Sequence, residues 1–281
     1  MLVTLNDVLL DAQKKHYAVG LFNTVNLEMA KGVLAAAEET RSPVIIGTAE
    51  ILLPYASLEE LAYFLLPMAR KATVPVVVHF DHGLTREKIL TALRLGFSSV
   101  MYDCSTASYE ENIKNVAQMK EIAGMFGATL EAELGHVGAN DGAAEDTSSD
   151  SGIYTDPAQA KDFAQRTGCD ALAVAIGTAH GAYKEKPKLD IGRLSEIAAA
   201  GDVPLVLHGG SGLSDQDFRD CIAHGIGKVN IFTDINCAAA QAAHDGYQEG
   251  MGLTDLMGGI ADAVKRETIR KMQVFGCVGR V

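Results

Sequence analysis

The stretch VPVVVHFDHG at residues 74–83, together with its shorter echo VPLVLHGG at 203–210, decides the fold of this chain. Each is a short apolar run that ends in histidine and glycine, and DALAVAIGTAH at 170–180 has the same shape. Working outward, β-branched runs alternate with amphipathic stretches almost from end to end, the pattern of repeated βα units around a parallel sheet. The expected strands are 17–23, 43–48, 74–81, 99–104, 129–135, 171–177, 204–209 and 228–233. Helical patterns lie between them at 26–40, 58–71, 84–95, 108–126, 157–166 and 215–224, several opened by Asp, Asn or Ser in cap position. Eight such units within 281 residues favour a single closed (β/α)8 TIM barrel over an open sheet. Residues 234–246 and 254–275 add C-terminal helices, the second expected to cover the barrel base or to meet a second subunit. No linker divides the chain, so residues 1–281 read as one domain.

In such a barrel the C-terminal ends of the strands share one face. His82, His180 and His208 each fall within a few residues of a strand end and each precedes glycine. Three neutral imidazoles there form an open tetrahedral zinc site, the geometry of catalysis rather than of scaffolding. The other histidines are placed differently: His16 precedes the first strand, His136 begins a loop, and His224 and His244 sit on helical patterns. Strand alternation puts His79 on the same face as Asp81, better placed as a packed, hydrogen-bonded neighbour of the site than as a ligand, with both readings open.

Asp81 is either a helix cap or, beside a metal ligand, the proton donor and acceptor. Asp103 ends the fourth strand, and Glu131 and Glu133 alternate so that both point to one side of the fifth. Carboxylates facing a barrel interior need a cation or a partner, so Asp103 and Glu133 either bind a second cation, orient the histidines, or pair with Lys or Arg. The turns after strands seven and eight, GGSG at 209–212 and NIFTD at 230–234, stand at the usual phosphate corner of this barrel. Lys228 offers a Schiff-base alternative that leaves the histidine trio unexplained. Residues 136–151, rich in Gly, Ala, Ser, Asp and Asn, are too long for an ordinary connection and read as a lid.

Composition narrows the partners. A formal charge of −12 argues against nucleic acid or an anionic membrane. An anionic metabolite is still admissible if peptide N–H groups, a metal and a few basic side chains hold it locally. No targeting segment or membrane span is legible, and five cysteines without a C-x-x-C pair read as reduced packing residues, so a cytoplasmic protein is expected.

Six motifs in order, HFDHG (79–83), SVMYDCS (99–105), LEAELGHVG (130–138), AIGTAHGAY (175–183), LVLHGGSGLSD (205–215) and KVNIFTD (228–234), resemble those of the class II, zinc-dependent ketose-bisphosphate aldolases. The GTAHGAY form and the short chain look most like the tagatose-bisphosphate branch. The resemblance implies that His82, His180 and His208 hold the zinc. Asp81 then carries the proton of the aldehyde oxygen. Gly181, Gly209, Gly210 and Ser211, with Asn230, Ile231, Phe232 and Thr233, would bind the dihydroxyacetone phosphate end, with a monovalent cation (Na+ or K+) near the phosphate. Asn23 and Thr48 would face the aldehyde half.

One departure stands out. Relatives commonly carry an acidic pair in a G-G-E-E-D-like loop, where this chain reads GANDG at 138–142. Asp141 is the nearest match for the carboxylate that exchanges the enediolate proton, with Glu145 and Asp146 further along. The expected reaction is reversible cleavage of a ketose 1,6-bisphosphate of tagatose or fructose type to dihydroxyacetone phosphate and glyceraldehyde 3-phosphate, by a homodimer or homotetramer. The alternatives are a class II aldolase for another phosphorylated ketose and a non-catalytic, metal-bearing assembly subunit. Arg280, near the end of the chain, is a candidate for the far phosphate.

Overall fold

The structure, a computed structural model, describes residues 1–137, 154–179 and 187–281. Its strands are β1 (Val19–Asn23), β2 (Val44–Ala49), β3 (Val76–Gly83), β4 (Ser99–Tyr102), β5 (Thr129–Leu134), β6 (Ala171–Val174), β7 (Leu205–Leu207) and β8 (Ile226–Ile231). They pair in parallel in chain order, and β8 closes on β1 to make the barrel. The helices are α1 (Leu5–Lys15), α2 (Leu27–Thr40), α3 (Leu58–Lys71), α4 (Arg86–Leu95), α5 (Tyr109–Met125), α6 (Pro157–Thr167), α7 (Ile191–Ala200), α8 (Asp215–Ala223), α9 (Thr233–Gly246) and α10 (Leu253–Phe275).

The strands are buried almost throughout, which explains why they read as continuous apolar runs rather than as alternating ones. Helices start on side-chain caps: Asn26 accepts from Met29 N at 2.9 Å, Asp156 from Gln159 N at 2.9 Å, and Ser57 from Glu60 N at 3.2 Å. Each cap contributes about 1 kcal/mol and fixes where the chain turns back from the strand ends. At Gly47 a Cβ would lie 1.8 Å from His79 O, so only glycine lets β2 approach β3 this closely.

Helix α7 was not among the expected helical patterns, and neither was α1 in the N-terminal segment. That segment closes the barrel base: Leu2 bridges to Val76, Leu5 N donates to Thr129 Oγ1 at 3.2 Å, and Asn6 Nδ2 donates to Asp170 Oδ1 at 2.9 Å. These partners lie at or just before the starts of β3, β5 and β6. The base is therefore covered by α1, and α10 joins the outer ring against α2, α8 and α9. Arg280, past the end of α10, stacks on Tyr17 with its guanidinium 5.0 Å from the ring centroid, and Tyr17 leads into β1. Arg280 thus sits at the base of its own barrel, opposite the strand ends, and the far-phosphate role is corrected for this subunit. β8 also ends two residues earlier than expected, which makes Thr233 the first residue of α9. Among the described residues no helix is long and apolar enough to cross a membrane.

Candidate active site

A cavity of about 500 Å³ opens at the C-terminal end of the barrel. Asn23, Asp81, His82, Asp103, Gly209, Gly210, Ser211, Asn230, Ile231, Phe232 and Thr233, all singled out in the sequence, line it. His180, Gly181, Asp141 and Glu145 lie outside the described residues. Ala179, the residue before His180, is described: a Cβ on Gly209 would come 2.4 Å from its carbonyl oxygen.

Strand β3 carries two of the key groups through an irregularity. Phe80 pairs with Val100 and Gly83 with Tyr102, so β3 spends three steps where β4 spends two. This bulge is accompanied by φ of 102° at His82, a left-handed backbone that is strained for any residue but glycine. Plain alternation would turn His82 away from the face that holds Asp81. The bulge brings it back, with its ring 4.4 Å from the ring of His208 at an interplanar angle of 69°. His82 Nδ1 lies 3.2 Å from Asp103 Oδ2, which fixes the ring and leaves Nε2 as the nitrogen on the other side.

His208 follows β7 directly and stands between two carboxylates, Nε2 at 2.9 Å from Glu131 Oε1 and Nδ1 at 3.1 Å from Glu133 Oε2. Burial alone would lower its pKa, but Glu131 and Glu133 outweigh it and push the imidazole up to about 10. Burial opposes ionisation of Glu131 too, yet Lys228 and His208 hold it down to about 2. Asp81 is buried, which works against its charge, and the surrounding His82, Lys228 and His208 nevertheless keep it well below the usual carboxylate range. Its oxygens accept from Asn23 Nδ2 at 2.7 Å and Asn230 Nδ2 at 2.9 Å. The two amides aim the carboxylate without neutralising it.

These contacts form one continuous chain. Asn230 Oδ1 accepts from Lys228 Nζ at 2.7 Å, and Lys228 Nζ lies 2.8 Å from Glu131 Oε2. Asp81 is thereby linked through Asn230, Lys228 and Glu131 to His208. Lys228 is fully buried and does not line the cavity. That corrects the Schiff-base alternative, which needs an amine able to reach a substrate carbonyl. His79 sits one layer lower, its Nδ1 at 2.8 Å from Ser99 Oγ and its Nε2 at 3.8 Å from both Asp81 and Glu131. Burial pushes it down to about 4, the behaviour of a neutral packing histidine.

One expectation changes and one feature was not anticipated. Thr48 pairs with Phe80, whereas its neighbours Gly47 and Ala49 pair with His79 and Asp81. Alternation therefore sends the Thr48 side chain to the helix-facing side of β2, and Ala49 takes its place in the cavity wall. The unanticipated feature is apolar: Ile51, Leu52, Leu84 and Val137 line the mouth, with Ile51 79% and Leu84 62% exposed. Val137 lies within the LEAELGHVG motif, but no motif marked Ile51, Leu52 or Leu84, because isolated apolar residues in strand-end turns carry no signature. The role of Lys228 was missed as well, although its two-residue spacing from Asn230 repeats that of Glu131 and Glu133.

The donor set fits a divalent cation. Asp81, His82 and His208 offer ligand atoms within 4.8 Å of one another, and so do His82, Asp103 and Glu133. Imidazole nitrogens with carboxylate oxygens suit zinc and similar borderline ions.

Residues 3–280 match the family model described as fructose-bisphosphate aldolase class-II. The uncharacterized protein YdjI of Escherichia coli is 43% identical over 270 residues, covering 96% of each chain. A fructose-bisphosphate aldolase of Staphylococcus aureus is 37% identical over 288 residues, covering 99% of each. Among solved structures, the YdjI aldolase of Escherichia coli superposes with a TM-score of 0.89 at 39% identity, covering 100% of this chain and 99% of that one. A putative fructose-1,6-bisphosphate aldolase from Coccidioides immitis gives 0.89 at 29%, covering 98% and 97%. With a metal-competent histidine and carboxylate cluster at the mouth of a TIM barrel and a family match over nearly its whole length, the chain belongs to the class II fructose-bisphosphate aldolases and is a carbon–carbon lyase of that metal-dependent class.

Proposed function

We propose that this protein catalyses the reversible aldol cleavage of a ketose 1,6-bisphosphate, of fructose or tagatose type, to dihydroxyacetone phosphate and glyceraldehyde 3-phosphate. The observation that carries the reading is the position of Asp81, an ionised carboxylate aimed by Asn23 and Asn230 within 4.8 Å of ligand atoms of His82 and His208. In cleavage, Asp81 takes the proton of the C4 hydroxyl, and in condensation it returns that proton to the aldehyde oxygen. His82 and His208, joined by His180, would hold zinc. When bound there, the ion supplies Lewis acidity that stabilises negative charge on the ketose oxygens as the C3–C4 bond breaks. Asp103 and Glu131 orient the two rings. Asp103 and Glu133, with His82, also make a candidate second cation position. Gly209–Ser211 and Ile231–Thr233 turn backbone and hydroxyl donors to the ketose phosphate at the start of α9, where the helix dipole favours an anion, and a Na+ or K+ ion would assist. Asp141 or Glu145 would exchange the enediolate proton. We take the enzyme to be a cytoplasmic homodimer or homotetramer.

A second reading, a ketose phosphorylated at one end only, is favoured by the mouth itself. The wall opposite the phosphate corner is built from Ala49, Ile51, Leu52 and Leu84, and the nearby Glu50 is already engaged with Leu84 N and Thr85 N at 2.8 and 3.1 Å. Apolar side chains and a carboxylate are poor company for a second phosphate. A coupled assay for dihydroxyacetone phosphate, run with fructose 1,6-bisphosphate, tagatose 1,6-bisphosphate and fructose 1-phosphate with and without added zinc, tests both. Zinc-dependent turnover of either bisphosphate supports the first reading. Turnover of the monophosphate alone selects the second, and no release from any of the three contradicts both.

A further inference from the structure

Helix α10 carries Lys271, a lysine only 1% exposed that the chemistry above does not use. Its ammonium forms an ion pair with Asp234, lies 3.8 Å from Glu267 Oε1 one turn back on its own helix, and lies 4.8 Å from the centroid of the Phe218 ring. Asp234 is the second residue of α9, directly after Thr233. Phe218, on α8, lies under the glycine turn: a Cβ on Gly210 would come 3.2 Å from Phe218 Cε1. One buried cation is therefore tied to both helices whose leading turns form the phosphate corner. The two turns also touch directly, Ser211 Oγ accepting from Phe232 N at 3.3 Å.

Burying an ammonium is costly unless a charge and a polarisable face receive it, and here Asp234 and Phe218 do so. Asp234 by itself suits a helix N-terminus. Beside the seat of a phosphate, however, its negative charge competes with the ligand for that same positive end. We infer that Lys271 is a positioning residue for the ketose phosphate: it offsets the charge of Asp234 and fixes α8 against α9, so that the corner is preformed to receive an anion. The inference rests on the proposed reading of that corner as the phosphate seat. The adjacent Arg270, about half exposed, pairs with Asp215 at 2.8 Å on the first turn of α8 and with Glu267 at 2.7 Å; solvent screens these pairs, which makes R270A a control for charge lost at the edge of the buried cluster.

The experiment is calorimetric titration of dihydroxyacetone phosphate into the zinc-loaded full-length enzyme, with kcat, KM and zinc content measured alongside, for wild type, K271M, D234N, K271M/D234N and R270A. K271M is expected to weaken binding and raise KM about tenfold, as an uncompensated nearby charge does at intermediate dielectric, with kcat and zinc content unchanged. The double variant should regain most of the affinity, D234N should bind at least as tightly as wild type, and R270A should not differ from it. Wild-type affinity in K271M, or a double variant as weak as K271M, would overturn the inference. If K271M does not fold, D234N decides: weaker binding there contradicts the charge argument. Wild type that binds no dihydroxyacetone phosphate overturns the functional reading and this inference together, whereas wild-type binding with an unaffected K271M overturns the inference alone.

Discussion

Strands β3 and β7 open on nearly the same words, VPVVVH and VPLVLH, and put the matching histidines, His79 and His208, to different uses. Both rings are fully buried. His79 lies within the ladder, paired with Gly47 on one side and Ser99 on the other, one layer below the mouth. The ladder of β7 stops at Leu207, so His208 stands at the strand end and meets Glu131 and Glu133. β3 needs three more residues and a bulge before His82 comes level with His208. Height along the barrel, more than the local sequence, decides whether a histidine packs or joins the cluster that could hold a metal.

The largest effect should separate the two matching histidines. His208→Asn is expected to abolish cleavage and leave the purified protein without stoichiometric zinc, read by elemental analysis beside the coupled assay. An enzyme that kept both would make His208 a packing residue like His79. Next comes Asp81→Asn at the far end of β3. It should lower kcat on the order of a thousandfold, as removal of a general acid–base does, while zinc content stays that of wild type. A loss confined to KM would mean that Asp81 only binds. His79→Asn should retain zinc and lose about tenfold in kcat, the low end for a group that acts through its neighbours. If it lost zinc as His208→Asn does, the layering of β3 against β7 would be wrong.

The smallest effect belongs to Thr48, the strand neighbour whose side chain faces away from the cavity. Its Oγ1 is buried without a hydrogen-bond partner among the described residues. Thr48→Val should leave KM for the sugar phosphate unchanged and raise stability by up to about 1 kcal/mol in denaturant unfolding. A raised KM would return Thr48 to the aldehyde half.

What could be read in the sequence followed physical period and position. Apolar runs bounded by caps gave away the barrel, and His208, Asp81 and the turns at 209–211 and 230–233 were legible because strand ends of a parallel barrel share one face. The bulge at His82 was not, since it depends on how β3 meets β4 and leaves no compositional trace. Thr48 was misjudged by a single residue, and in a strand one residue reverses the face. Helix α1 escaped notice because it precedes the first strand and falls outside the βα count, yet it closes the base. In the sequence Lys228 reads as a Schiff-base alternative and Lys271 as an ordinary charged residue. Only burial, with Glu131 and Asn230 around the one and Asp234 and Phe218 around the other, shows them to be structural cations.

The measurement that bears most directly on the account is anomalous diffraction at the zinc edge from crystals of the zinc-loaded protein. A strong peak about 2.0–2.1 Å from His82 Nε2 and His208 Nδ1 is predicted, the ordinary zinc–imidazole distance. Zinc bound elsewhere, with His208 still held between Glu131 and Glu133, would contradict it.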